Sequence, residues 1–323
     1  RAAGDRAVNA AALVTQLFAV AVAVVLAPLF LGWVNMCRAW LQNRSAPPLT
    51  QPYRMIRKLL RKDAVIATDA SQLFVFAPYV IFGSMVTAAA IIPALALDLP
   101  FARAADAIAL VGLFATARVF VALAAIDTGT AFGTLGARRE MMLGFLAEPA
   151  LLMVFFTASL IAGSTELPVI ADMHQYHALA IHPGLAFAAI AFLMLLLAEN
   201  ARIPVDNPAT HLELTMIHEA MLLEYSARHL ALIEWASALK LFNYACIGFA
   251  LFVPWGVARD LDSPPVLALA LVVLCAKLLV AGAVLALIET LNAKIRIFRA
   301  PEFLALAFML AVLGLLVRLL LQS

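Results

Sequence analysis

An all-α, polytopic integral membrane protein is the fold class this sequence predicts. Three observations carry that reading. Only 13% of the residues are charged while 65% are hydrophobic, and the mean hydropathy is +1.00, a balance foreign to ordinary soluble domains. Apolar runs recur at about 20 residues, the length a helix needs to cross a bilayer. These runs are too long and too continuous to be the strands of a membrane barrel. Backbone that crosses lipid must satisfy its own polar groups, so each run is expected as a helix.

In chain order the runs lie near 10–36, 70–97, 104–126, 141–163, 180–199, 228–257, 265–290 and 301–321, about eight transmembrane helices in a single transmembrane domain, 1–323. The sequence begins at Arg1 rather than at a methionine. No small-residue cleavage site follows the first run, which is therefore expected to be a retained span rather than a signal peptide. Between the first two spans lies a basic loop, 38–69, punctuated by Pro47, Pro48 and Pro52. Within it Tyr53 to Lys62 places Met55, Ile56, Leu59 and Leu60 on one helical face and bases on the other. That is the pattern of an interfacial amphipathic helix. It suits anchoring to anionic lipid, the wall of a lateral entrance, or a docking surface. The fifth and sixth spans are joined by an acidic loop, 199–228.

Basic residues set the orientation. With eight spans, the loops after odd-numbered spans hold fourteen Lys and Arg and the opposite side holds five. The positive-inside rule then places the odd loops in the cytoplasm and both termini outside.

The stretch Glu199 to Glu234 concentrates Glu199, Asp206, Glu213, Glu219, Glu224 and Glu234 in a chain otherwise poor in charge. Acids beside or within spans are costly and point to function. Pro204 and Pro208 rule out a regular helix across its middle, but no breaker follows Ala209. A helix is therefore expected to run through Glu213 to Glu224, which at three turns apart would share a face. His218 and Glu219 fall between them, and His218 titrates in a useful range if modestly perturbed.

Three cations fall inside spans: Arg118, Lys240 and Lys277. Each needs an acid, a carbonyl or water as partner. Candidate acids are Glu148, Glu224, Glu234 and Glu289, with Asp127 and Glu140 near span ends. Paired across helices they would form a buried polar chain of the sort protons require. The alternative is a set of structural ion pairs. Cys37, Cys246 and Cys275 have no close cysteine partner, so no iron–sulfur or zinc motif is read here. His174, His177 and His182 are read as part of a solvated outer loop rather than a metal site.

The run E-N-A-R-I-P-V-D-N-P from Glu199 resembles a signature of the complex I subunit 1 family, the membrane subunit that carries the quinone cavity. Arg202, Pro204, Asp206 and Pro208 align with it, as do Glu213-Leu214 and Glu224-Tyr225-Ser226. Upstream, Arg139 and Glu148 match a spaced pair, and Gln51-Pro52, Lys58-Leu59-Leu60, Phe74 and Pro78 match as well. The departures are Ala209 and His211 where that family has further acids, and an insertion between Leu214 and Glu224. With Asp127–Gly133 and the E-T-L-N-A-K-I-R-I-F-R-A-P-E segment from Glu289, they are similar to the formate hydrogenlyase subunit 4 and hydrogenase-4 component C branch of energy-converting [NiFe] hydrogenases.

The resemblance implies a membrane-anchoring subunit that couples a cytoplasmic hydrogenase-type redox module to ion translocation, in a bacterial or archaeal cytoplasmic membrane. It has no catalytic centre of its own. Iron–sulfur clusters and nickel would belong to partners: hydrogenase-like large and small subunits and a ferredoxin-like subunit, alongside antiporter-like membrane subunits. No metal is expected on this chain, quinone is not required in this branch, lipid contact is expected, and nucleic acid is not. Glu140, Glu148, Glu199, Asp206, Glu213, His218, Glu219, Glu224, Glu234 and Glu289 are the candidate proton path, with Arg118, Lys240 and Lys277 as buried cations. Arg139, Arg202, Arg228, Gln51 and Tyr53 are the candidate docking or cavity residues. Three other readings stand beside it: a quinone-cavity subunit of a complex I-like oxidoreductase, a passive anchor, and a secondary transporter working alone. No internal repeat of the transporter kind is evident.

Overall fold

The computed structural model describes residues 10–104, 106–176, 183–202, 217–259, 264–292 and 299–322. Its α-helices, in chain order, are α1 (Ala10–Leu41), α2 (Gln51–Leu60), α3 (Gln72–Ile91), α4 (Ala107–Asp127), α5 (Ala131–Ala162), α6 (Leu167–Tyr176), α7 (Pro183–Glu199), α8 (Ala227–Phe252), α9 (Pro264–Leu291) and α10 (Ala300–Gln322). Among the described residues there is no strand, only isolated bridges. Seven of these helices are long and apolar enough to cross a membrane. The fifth expected span, α7, is apolar but shorter, at 17 residues.

Local chemistry explains where the helices begin and end. Ser71, Asp106 and Thr130 accept hydrogen bonds from Leu73 N, Ile108 N and Gly133 N and so cap α3, α4 and α5. Pro93 and Pro254 follow the ends of α3 and α8, which stop short of the expected 97 and 257. The Thr130 cap starts α5 ten residues before the expected boundary, so Arg139 and Glu140 sit inside a helix rather than beside one.

The loop expected around His174 is instead largely α6. Leu167, Ile170 and Ala171 are buried, and His174 Nδ1 donates to Ile170 O at 2.7 Å within the helix. An i, i+3, i+4 apolar face outweighed the polar flanks that suggested a solvated loop. His177 and His182 lie outside the described residues.

The bundle packs α10 on α7 and α5, α3 on α4 and α8, and α1 on α9 and α8. Small residues allow the tightest approach. A Cβ at Gly184 of α7 would fall 2.5 Å from Gly314 O of α10, so the two backbones touch.

Two prolines inside helices have specific compensation. A proline deprives the carbonyl four residues earlier of its helical donor. Pro28 frees Val24 O in α1, and Trp235 Nε1 of α8 donates to it at 3.0 Å. Pro78 frees Phe74 O in α3, and Tyr225 Oη donates to it at 3.0 Å.

Amphipathic α2 lies along α8 and α1. Ile56 is buried and Leu59 half-buried, whereas Met55 and Leu60 are exposed. The bundle thus covers only part of the apolar face, and Met55 and Leu60 are left open to lipid, as an interfacial helix requires. Arg54, Arg57, Lys58, Arg61 and Lys62 are exposed. Tyr53 Oη donates to Val25 O and fastens α2 to α1. Burial pushes the Tyr53 phenol above its ordinary value.

Candidate functional site: a buried ion-pair cluster

Four helices converge on Arg118 of α4, which is 6% exposed. Its Nη1 lies 2.6 Å from Glu148 Oε1, its Nη2 contacts Glu199 Oε1, and its Nε lies 3.4 Å from Glu140 Oε1. The second oxygen of Glu199 lies 2.9 Å from Lys240 Nζ of α8. That contact, like the one between Arg118 Nε and Glu140, is an ion pair without the angles of a hydrogen bond. Tyr244, fully buried on α8 and tilted against Phe114 at 4.9 Å, also bears on the Glu199 carboxylate.

The arrangement has a local sequence basis in α5. Gly136, Glu140, Gly144 and Glu148 recur every four residues, so they form one stripe along the helix. Arg118 lies across Gly144, where a Cβ would come within 2.8 Å of Arg118 Cδ. The glycine therefore opens the slot through which the guanidinium reaches a glutamate on either side. Gly136 seats the 217–221 segment, with Met221 Cγ at 3.0 Å from a Cβ placed there.

Beside the cluster is a cavity of about 50 Å³. Its polar lining includes Arg118, Glu140, Glu199, Asn200, His218, Ser237 and Lys240. Ile81, Met85, Phe114 and Val121 supply apolar wall. The volume is enough for water, which needs roughly 10–15 Å³ and polar partners.

Three residues beyond Glu199 the chain enters a second ionic group. Arg202 Nη1 lies 3.2 Å from Glu289 Oε1, and Arg38 Nη1 lies 3.4 Å from Glu289 Oε2. Glu289 is 2% exposed and ties the ends of α1 and α9 to the segment after α7. Burial holds the Arg202 guanidinium below its ordinary value, the Glu289 carboxylate opposing and Arg38 adding to that shift.

The helix expected through Glu213 to Glu224 is not found in its described part. Glu219–Met221 form a single 3-10 turn, followed by turns up to Tyr225. Glu224 is exposed and does not join the buried acids. Asp206 and Glu213 lie outside the described residues. Tertiary contacts overrode helix propensity here. Ile217, Ala220, Met221 and Tyr225 are all buried, and Tyr225 stacks on Phe74 at 4.0 Å while its hydroxyl serves the carbonyl freed by Pro78. Ser226 Oγ donates to Val65 O at 2.7 Å and accepts from Val65 N at 3.0 Å. Burial, with the Asp127 carboxylate second, raises the Tyr225 phenol above its ordinary range.

The remaining candidates are dispersed. Glu219 sits half-buried in the turn beside His218, Arg139 is half-buried on α5, and Arg228 is exposed at the start of α8. Glu234 lines a separate cavity of about 170 Å³ between α1, α2 and α8, together with Asn35, Gln51, Pro52 and Ile56. Lys277 lies apart from the Arg118 cluster. Its Nζ donates to Val253 O at 2.6 Å and sits 5.7 Å from the Phe249 ring centre. Val253 is thirteen residues beyond Lys240, about 20 Å along α8. No group of three or more His, Cys, Asp or Glu placed to hold a metal occurs among the described residues. Sequence reasoning missed Tyr244 and Gly144, although the four-residue spacing of glycines and glutamates in α5 was available to it.

Seven membrane-length helices among the described residues, with ion pairs buried between them, define a polytopic membrane protein. It belongs to the NADH dehydrogenase subunit 1 family, whose model, described as NADH dehydrogenase, matches residues 14–319. It is 35% identical over 276 residues to formate hydrogenlyase subunit 4 of Escherichia coli (strain K12), covering 85% of this chain and 89% of that one. It is 35% identical over 302 residues to hydrogenase-4 component C of the same organism, covering 92% and 94%. The fold matches, with a TM-score of 0.82, a chain of the membrane-bound sulfane sulfur reductase, an archaeal respiratory membrane complex, at 19% identity and covering 95% of this chain and 99% of that one. At that identity the likeness is one of fold.

Proposed function

We propose that this chain is the membrane-anchoring, proton-path subunit of a hydrogenase-type complex, coupling a cytoplasmic redox module to ion translocation. The carrying observation is the Arg118 cluster. Three carboxylates and two cations from four helices are brought together beside a water-sized cavity. Ionised groups in a membrane bundle are expensive and mark ion pathways. Relatives named as formate hydrogenlyase subunit 4 and hydrogenase-4 component C support the hydrogenase-type setting.

In this reading the redox centres reside on hydrogenase-like and ferredoxin-like partners, and antiporter-like membrane subunits complete the ion path. The basic face of α2 and the 217–226 segment face the cytoplasm and the redox module, and both termini lie outside, in a bacterial or archaeal cytoplasmic membrane. Events at the redox module displace the 217–225 segment, whose His218 lines the cavity beside Arg118. Because Gly136 seats that segment on the stripe of α5 that carries Glu140 and Glu148, such a displacement alters the contacts of Arg118.

The test is Glu199→Gln and Glu148→Gln in the assembled complex, reconstituted in vesicles. Proton movement per electron is expected to fall at least tenfold while redox turnover with soluble donors and acceptors persists. Unchanged coupling in both variants would leave a passive anchor.

A second reading has its own observation. The cavity of about 170 Å³ between α1, α2 and α8 is lined by Glu234, Asn35 and Gln51 among apolar residues, a composition suited to an amphiphile. It favours a quinone-cavity subunit. Photo-crosslinking of a quinone analogue to Met55 or Glu234 would support it, and labelling confined to lipid-facing α9 would remove it.

A further inference from the structure

The charges around Arg118 do not balance. Among the described residues, the cations paired with Glu140, Glu148 and Glu199 are Arg118 and Lys240, and Tyr244 beside Glu199 is neutral. With all of them ionised the cluster carries one net negative charge in a mostly buried site. Such an excess is relieved by binding one proton, because carboxylates sharing a site cannot all ionise cheaply.

The three acids are not equivalent. Glu199 has both oxygens against cations, and its side chain is 5% exposed. Protonating it would strip two contacts and leave Lys240 without its carboxylate. Among the described residues, Glu140 and Glu148 each pair with Arg118 alone, through a single oxygen. They stand on one stripe of α5, eight residues apart, a rise of about 12 Å, with Arg118 crossing between them over Gly144. One contact is tight, 2.6 Å to Glu148, and the other loose, 3.4 Å to Glu140.

We infer that Glu140 and Glu148 share one exchangeable proton across Arg118, while Glu199 is a permanent counter-ion. The guanidinium pairs tightly with whichever glutamate is ionised and loosely with the one that holds the proton. When the proton changes carboxyl, an O–H bond breaks on one glutamate and forms on the other; no electron moves, and the tight contact passes the opposite way. The two carboxyls also open differently. Glu140 lines the cavity shared with His218, whereas Glu148 is not among its described lining and its side chain is 35% exposed. The pair thus has separate access on its two sides.

The ionisable groups around the pair come from every element that packs on it. They are Arg118 on α4, Glu199 on α7, Lys240 and Tyr244 on α8, His218 before α8, and Arg139 on α5 itself. Helix α10, which packs along α5, has only Glu302 and Arg318, near its two ends. Helix α6 has Asp172, bonded to Arg259, and His174, bonded to Ile170.

The role of the pair rests on the proton-path reading, but its proton is measurable at equilibrium. Infrared difference spectra of the purified, assembled complex, taken in H2O and D2O at neutral pH, report protonated carboxyls. Glu140→Gln and Glu148→Gln are each expected to abolish the same carboxylic-acid band. Lys240→Gln should roughly double it by adding a second uncompensated carboxylate. Full wild-type band area in both glutamine variants, or no increase in Lys240→Gln, overturns the assignment. Should a glutamine variant fail to assemble, Glu140→Asp and Glu148→Asp must keep the band at a shifted frequency, and its loss in both also overturns it. A lost band with intact proton coupling in Glu148→Gln removes the path and keeps the pair. An unchanged band with lost coupling removes the pair and keeps the path.

Discussion

The Arg118 and Glu289 groups are built from the same residue types and differ in the sign of their imbalance. Among the described residues, three carboxylates meet two cations around Arg118, and two arginines meet one carboxylate around Glu289. An excess of carboxylates has somewhere to put a proton near neutral pH. An excess of guanidinium does not, since arginine stays charged at any working pH. The first group is therefore suited to exchange, and the second to holding the ends of α1 and α9 and the segment after α7 in register. Lys277 makes a third type: among the described residues it has no carboxylate partner and is satisfied by the carbonyl at the end of α8 and an aromatic face. Burial of charge inside a membrane bundle thus serves different ends according to what surrounds it.

The largest effect should come from removing the hub. Arg118→Leu leaves three carboxylates around one lysine, and breaking such a buried pair costs about 3–5 kcal/mol. Yield of the assembled complex and its thermal midpoint in detergent should both drop, and Arg118→Lys should restore little, because a point charge cannot span three carboxylates. Wild-type stability in Arg118→Leu would mean that the cluster is held by its backbone alone.

Glu289→Gln comes next, at about 2–4 kcal/mol, because two arginines lose their shared carboxylate. Here stability should fall while proton movement per electron in the surviving complex stays at the wild-type ratio. A coupling defect as large as that of Glu148→Gln would erase the distinction between the two groups.

Gly144→Ala probes the slot in α5. Overpacking of this kind costs about 1–3 kcal/mol, and the methyl would push Arg118 away from Glu140 or Glu148. A smaller thermal shift than in Glu289→Gln is expected together with impaired coupling. That pairing of a small stability change with a functional one would sharpen the contrast, and normal coupling would weaken it.

The smallest change is expected from Lys277→Met, within about 1 kcal/mol of wild type, since an apolar side chain of similar length suits that position. Coupling should be unaffected. A strong loss of proton movement would extend the path to α9 and contradict the separation of Lys277 from the Arg118 cluster.

Much of the site is legible in the sequence. Arg118, Lys240, Glu140, Glu148 and Glu199 all stand out in the sequence as charges at or near spans. Their partners were not legible, because Arg118 meets Glu148 thirty residues away and Glu199 eighty-one residues away, and sequence spacing says nothing about contacts across helices. The helix read through Glu213 and Glu224 failed for a related reason. Local propensity allowed it, but Tyr225 gains more by stacking on Phe74 and serving the carbonyl that Pro78 leaves open. The α6 segment failed the opposite way, its apolar run Leu167–Ala171 too short to stand out between Glu166 and Asp172.

By itself, then, the sequence determined the helical bundle, the amphipathic α2 and the set of charges that must find partners. Those follow from composition and periodicity, because lipid admits only self-satisfied helices and penalises lone ions. Tertiary structure alone decided which charge meets which. That choice depends on helix crossings set by small residues such as Gly144 and Gly184, and on side chains that close the gaps prolines leave in neighbouring helices.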